Sequence, residues 1–355
     1  MRAKFALAAL VAGLLFSAPA LGRVVEASDF GVKCDNVADT APQIQAAIDY
    51  ANSLNQPTTV RLSPTFWNTK CLIATALVLK PRVSLDARGV IIKATASMEA
   101  LLVTGVGASA ITEQRVDGGR WECNNLANTR GIWIKEGSQS HFQGLHISEC
   151  NLAYFKIGSP GQSGTSFEIF LQDSRIERSA TVVPSTSYGV ESLDSAADIH
   201  ILNNLFIGVS KGIYGHIAHW KIAFNHVWNW TPGHGLLVAG YHGIDFGGAN
   251  LIGNQVDADT ETKAIWLEGG GIRPYSVVSN QVNCKGGADN FGAAITIGTG
   301  GIVSSAANVI TCNAANRYAA IYAGDLTKLT SLGDIAHNVV TDLGPRINGV
   351  ALTVP

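Results

Sequence analysis

Two short frames alternate along this 355-residue chain and restrict what it can fold into. The first is Gly or Ala, an aliphatic residue, any residue, and usually a second aliphatic. It reads Gly131-Ile-Trp-Ile134, Gly189-Val-Glu191, Gly212-Ile-Tyr214, Gly235-Leu-Leu-Val238, Ala264-Ile-Trp-Leu267, Ala294-Ile-Thr-Ile297, Ala320-Ile-Tyr322 and Gly349-Val-Ala-Leu352. From Val190 onward the central aliphatics recur every 23 to 30 residues. The second frame sits between the copies: Asn204-Leu-Phe206, Asn225-His-Val227, Asn254-Gln-Val256, Asn280-Gln-Val282, Asn308-Val-Ile310 and Asn338-Val-Val340. Two interleaved frames sharing one loose period describe a solenoid of short strands.

In a strand, alternate side chains face opposite ways, so the aliphatics of each unit share one face and the middle residue takes the other. A strand every 23 to 30 residues can coil into three stacked sheets around one core. Asn before a strand suits a sharp bend, because it tolerates left-handed backbone and bonds nearby amides. Stacked Asn side chains can also bond one another along the axis. The expected fold is all-β: a single-stranded parallel β-helix of about ten rungs. Right-handedness is taken from the general preference of crossovers. An open solenoid end needs a cap. Thr40-Ala-Pro-Gln43 predicts a capping box and Pro near the first turn, with Ile44, Ala47, Ile48 and Ala51 on one face of a helix over 42–52. Val60–Leu62 and Leu77–Leu85 read as the first strands of the coil.

Residues 1–22 carry a basic start, an apolar run from Phe5 to Phe16 and the small-residue pattern Ala18-Pro-Ala20. This reads as a secretory signal peptide, too short to span a bilayer. The rest, 23–355, reads as one β-helix domain with no membrane span, secreted or periplasmic. A net charge of −2 gives no basic footprint for nucleic acid. Six cysteines in an exported chain favour disulfides. Cys284 and Cys312 hold the same place in adjacent repeats, and Cys123 and Cys150 lie nearly one repeat apart. By elimination Cys34 would pair with Cys71. The alternative is stacked free thiols in a dry core.

Asp29-Phe-Gly-Val-Lys-Cys-Asp-Asn-Val-Ala-Asp-Thr40, followed by Ile44-Gln-Ala-Ala-Ile-Asp49, resembles the opening of the pectate-lyase-like β-helix superfamily. The resemblance implies a right-handed coil that grips a sugar polymer along one sheet, as an enzyme or as a tailspike-like binder. Polygalacturonases of that superfamily carry Asn-Thr-Asp-Gly, Asp-Asp, Gly-His-Gly and Arg-Ile-Lys on successive rungs. Here Gly233-His234-Gly235 matches, but Thr186-Ser187-Tyr188, Ser210-Lys211 and Lys263 stand at the other places. All three carboxylates are missing. Glycoside hydrolysis needs two carboxyl groups, so a standard polygalacturonase mechanism is excluded.

Three outward columns remain. The first runs Trp133, Glu191, Tyr214, Leu237, Trp266, Thr296, Tyr322, Ala351, and its aromatics suit sugar rings. The second precedes the strand: Arg130, Tyr188, Lys211, His234, Lys263. A mostly basic file suits an anionic sugar chain. It also suits β-elimination, in which one basic group removes the proton beside a uronate carboxylate and another steadies the charge. The third, at the strand exit, holds Glu191, Asp194, His216, Tyr241, His242 and Glu268, an acid/base set in composition. Glu191 should neighbour Tyr214 across one rung, and Glu268 should lie three rungs from Glu191.

These residues point to an exported polysaccharide-cleaving enzyme, with a lyase on an acidic polymer placed ahead of a glycoside hydrolase or transferase. A noncatalytic polysaccharide-binding or surface-structure protein is the alternative from another class. Lys211, His234 or Lys263 would be base or charge neutraliser, and Tyr214 or His216 proton donor. Arg130, Trp133, Tyr214, Tyr241, Trp266 and Tyr322 would bind substrate, and Glu191, Asp194 or Glu268 would serve a hydrolase. No metal spacing stands out. No cofactor is expected; the carboxylates in or near turns at Asp173, Glu177, Asp245, Asp257 and Asp259 are weaker candidates for a catalytic carboxylate or for Ca²⁺ coordination. The assembly is expected to be a monomer or a homotrimer.

Overall fold

The computed structural model describes residues 22–63, 69–105, 113–159, 166–179, 187–192, 196–217, 219–229, 236–240, 248–258, 265–268, 275–284, 293–299, 303–312, 319–325, 339–341 and 347–348. The signal-peptide reading therefore lies outside the described residues.

The strands wind into three parallel sheets, and each coil visits them in the same order. Sheet A runs from Arg23–Glu26 to Val303–Ala306. Sheet B runs from Lys70–Ile73 to Val339–Thr341, and sheet C from Leu77–Leu79 to Ile347–Asn348. Among the described residues they hold 12, 11 and 11 strands, so the coil has about one rung more than the repeat count predicts. The register stacks like on like. Ile132 faces Phe155, Phe155 faces Val190, and Val190 faces Ile213, all fully buried. The head of the first frame is small because the next coil lies directly against it. A Cβ at Gly131 would meet the Tyr154 carbonyl oxygen at 2.3 Å, and one at Gly189 the Gly212 carbonyl oxygen at 2.3 Å.

The asparagines of the second frame form a buried ladder at the corner between sheets A and B. Nδ2 of Asn204, Asn225, Asn254 and Asn280 donates to Oδ1 of the next Asn at 3.0, 3.0, 2.9 and 3.0 Å. Each of those acceptor oxygens also takes the backbone N–H of the preceding Asn. Asn338 lies outside the described residues. The left-handed bend falls one residue earlier than expected: Asn203, Phe224, Gly253, Ser279 and Ala307 carry φ of 55, 58, 63, 57 and 56°. The ladder Asn itself is bound on both sides, and the turn strain passes to its neighbour.

Helix α1, Ala41–Ser53, covers the N-terminal end of the core with Ile44, Ala47, Ile48 and Ala51 buried, as its periodicity predicts. The capping box does not form. Thr40 has helical backbone and no side-chain cap bond; its Oγ1 donates to the Leu72 carbonyl instead. Asp39 Oδ1 accepts from Ala41 N–H at 3.0 Å and from Ala74 N–H at 3.1 Å, tying helix to coil. Gln45 pairs both backbone groups of Val78, at 2.8 and 3.1 Å, on the first strand of sheet C. That satisfies backbone groups which would otherwise stand open at the edge. Leu77–Leu85 is two strands, not one, because Arg82 turns left-handed between Leu77–Leu79 and Val83–Asp86. The disulfides Cys34–Cys71 and Cys123–Cys150 are present as expected. Cys284 and Cys312 are register partners on adjacent strands of sheet B.

Candidate functional site

The register lines up the middle residues of the sheet C strands in one file. The file runs Val78, Val103, Trp133, Lys156, Glu191, Tyr214, Leu237, Trp266, Thr296, Tyr322, Asn348. Two places differ from the sequence reading. Asn348 stands opposite Tyr322, where Ala351 was expected; Ala351 lies outside the described residues. A whole rung, Phe155–Ile157, separates Trp133 from Glu191 and inserts Lys156. Sequence reasoning missed it because Tyr154 stands at the frame's head, where Gly or Ala was required. The signal that could have found it was Phe155-Lys-Ile157, apolar on both sides of a cation.

Four consecutive strands of this sheet, spanning about 14 Å, bring cations and rings together. Trp133 Nε1–H donates to the Gly158 carbonyl at 2.8 Å, which fixes the indole. Three cations surround that ring: Arg130 Cζ at 4.9 Å, Lys135 Nζ at 4.7 Å and Lys156 Nζ at 4.9 Å from its centroid. Such contacts stabilise cations that burial would otherwise disfavour. Lys156 is nearly buried and its Nζ lies 3.4 Å from Glu191 Oε2. On the next two rungs Tyr188 and Tyr214 stack at 5.1 Å. Lys211 Nζ lies over both, 5.1 Å from Tyr188 and 4.5 Å from Tyr214.

The electrostatics follow from this packing. Burial holds Lys211 below the usual lysine range, against the pull of Glu191. Burial likewise lowers Lys156, with Glu191 opposing and Arg130 reinforcing. Burial lowers Arg130 as well. Burial raises Tyr188, helped by Glu191. The cluster thus has two amines made easier to deprotonate, set among phenols and the carboxylates of Glu191 and Glu99.

Arg130, Trp133, Glu191, Lys211 and Tyr214 therefore share one surface, and Glu191 neighbours Tyr214 as expected. Trp266 and Tyr322 hold the same register file on later strands. Glu268 lies three strands beyond Glu191, in register with Ala239, which faces His216. Glu191 and Glu268 are thus not brought together. His234, Lys263, Asp194, Tyr241, His242, Asp245 and Asp259 lie outside the described residues. Among the described residues no group of three or more His, Cys, Asp or Glu side chains converges to hold a metal ion. No described helix is long and apolar enough to cross a membrane.

A coil of three parallel sheets with a helix over its N-terminal end is a right-handed parallel β-helix. No family model and no curated protein matches the sequence. Solved structures do match in fold. The mannuronan C-5 epimerase AlgE4 A-module of Azotobacter vinelandii superposes with a TM-score of 0.59 at 14% identity, over 91% of this chain and 98% of that one. The tailspike protein of E. coli bacteriophage HK620, in complex with a pentasaccharide, gives 0.62 at 11% identity over 90% of this chain and 67% of that one. The Streptococcus pneumoniae surface protein and adhesin PfbA gives 0.58 at 13% identity over 91% and 99%. Such neighbours include enzymes and adhesins, so the fold by itself leaves the chemistry to the site.

Proposed function

We propose that the chain is an exported β-helix enzyme that cleaves an acidic polysaccharide by β-elimination along sheet C. The observation that carries this reading is Lys211, packed over Tyr188 and Tyr214 with its ammonium disfavoured by burial. In the reaction a neutral Lys211 amine takes the proton from the carbon beside the uronate carboxylate. Its electron pair forms the new carbon–carbon double bond, and the bond to the leaving glycosidic oxygen breaks. Tyr214 supplies the proton to that oxygen. Arg130 and Lys156 neutralise the carboxylate and the charge that develops on it. Trp133 and, further along the file, Trp266 and Tyr322 bind sugar rings.

A hydrolase is less well served. It needs a carboxyl pair within about 10 Å, and Glu191 is the only carboxylate on the described outward file from Val78 to Tyr214. The superposition on a mannuronan epimerase and on a tailspike holding a pentasaccharide supports a sugar polymer as ligand. The two disulfides support an oxidising compartment.

The deciding experiment incubates the purified full chain with polygalacturonate, alginate and neutral glucans, reading ultraviolet absorbance and reducing ends together. A lyase gives both signals. Reducing ends without absorbance sink the elimination mechanism, and neither signal, with retardation in a polysaccharide gel, leaves a binding protein.

A further inference from the structure

The corner between sheets A and B carries a feature that sheet C chemistry does not use. Two hollows of about 490 and 360 Å³ lie end to end there and share Gly144 and His146. Together they form one groove parallel to the axis. Its floor is a single file on sheet B: Ile91, Arg120, His146, Arg175, Leu205, His226. Six rungs make it about 24 Å long. One bank is bare backbone at Gly89, Gly119 and Gly144.

Each polar floor residue is held by a carboxylate of the adjoining file. Arg120 Nε lies 2.9 Å from Glu122, His146 Nε2 2.6 Å from Glu177, Arg175 Nε 2.6 Å from Glu177, and His226 Nε2 2.7 Å from Asp257. Asp257 is fixed in turn by Gln255 and Asn283. The floor is therefore rigid and charge-balanced, with donors and acceptors side by side.

Phe224 stands at one end of this groove, in the corner position that other rungs fill with Gly144, Asp173, Asn203, Gly253, Ser279 and Ala307. All of these take positive φ. Phe224 does so at +58° and is 63% exposed. A bulky side chain is strained in left-handed backbone, and an aromatic face in water adds a second disadvantage. The fold gains nothing that Asn would not give. The ring is nonetheless seated: a Cβ on Gly253 would meet its Cδ1 and Cε1 at 2.8 and 2.9 Å. Strain that persists in an otherwise permissive corner, beside a preformed groove, marks a ligand contact.

We propose that this groove is a second, noncatalytic binding site for a polysaccharide chain lying along the axis, with Phe224 as the platform for a sugar ring. Paired cations and carboxylates match hydroxyls, which donate and accept alike. They leave no uncompensated charge for a polyanion, so a neutral or sparsely charged chain fits. The proposal rests on the sheet C reading only for the ligand class.

The test runs the full chain, Phe224→Asn and Lys211→Ala through gels containing a soluble β-glucan, galactomannan, polygalacturonate or alginate. Asn suits left-handed backbone, so Phe224→Asn should melt no lower than the parent while retardation by one polymer weakens about five-fold. Unchanged retardation of Phe224→Asn in all four gels overturns the proposal. If only Lys211→Ala weakens binding, the second groove falls and sheet C stands. If only Phe224→Asn does, the second groove stands and carries the binding that the gel reads.

Discussion

Lys156 Nζ lies 3.4 Å from Glu191 Oε2, and both side chains are almost withdrawn from solvent, at 6% and 15% exposure. This pair links the cation cage around Trp133 to the stacked tyrosines. Removing one partner strands a charge, which costs far more than the pair itself contributes. Glu191→Gln should destabilise the fold by about 3 kcal/mol. The double variant Lys156→Met/Glu191→Gln should recover most of that loss. Denaturant melts of the three variants check it, and additive losses would show that the two groups do not couple.

Lys211 gives a sharper catalytic prediction. If it is the base, activity rises with pH as the amine deprotonates, with its inflection below the ordinary lysine value of 10.5. Lys211→Arg keeps the charge but cannot lose its proton at ordinary pH. It should cut turnover by about 10²-fold or more and abolish that limb of the profile. An arginine variant with near-parent turnover would make Lys211 a charge neutraliser.

On sheet A the rings of His141, Phe170 and His200 form a continuous stack, 4.4 Å at each step, between Arg115 and Lys221. Burial, then Arg115, lowers His141 despite Asp117; burial, then Lys221, lowers His200 despite Asp198 and Glu168. The folded protein thus binds these protons more weakly than the unfolded chain. Stability should be intact above the ordinary histidine value of 6.5 and decline as pH falls below it. Melting curves of the parent and of His141→Gln/His200→Gln between pH 7.5 and about 5 test this; the double variant should lose less on acidification.

The Asn ladder joins the later coils through buried side-chain hydrogen bonds. Asn254 accepts from Asn225 N–H and Nδ2, and donates to the Ile222 carbonyl and to Asn280 Oδ1. Asn254→Leu removes all four bonds at a buried site, although Asn225 Nδ2 keeps the Ile201 carbonyl and Asn280 Oδ1 keeps the backbone N–H of residue 254. At about 1–3 kcal/mol per stranded group, partly relieved by relaxation, the loss should exceed that of an ordinary core truncation. Thermal melting compared with Val256→Ala measures it.

Cys284 and Cys312 are register partners on adjacent strands of sheet B, within the Cα range a disulfide can bridge. Alkylation of the unreduced, denatured protein should find no free thiol. Two alkylated cysteines at 284 and 312 would refute a third bridge.

The frames reached far into the fold because a stacked coil repeats one local environment. Aliphatic, outward residue and aliphatic report burial directly, so Ile132, Val190 and Ile213 were legible as core, and Trp133, Glu191 and Tyr214 as one file. The helix face of Ile44, Ala47, Ile48 and Ala51 was legible for the same reason. Its cap was not: Thr40 found a carbonyl on a neighbouring coil, a partner 32 residues away.

What the sequence determined alone was the period, the core face and the identity of the outward sheet, all consequences of side-chain alternation. Register across coils of unequal length belonged to the tertiary structure. Only there did Lys156 enter between Trp133 and Glu191, and only there did lysine amines come to rest over aromatic rings, where burial shifts their protonation. The corner groove also arises from stacking, because His146, Arg175 and His226 become neighbours only when their coils are laid one upon another.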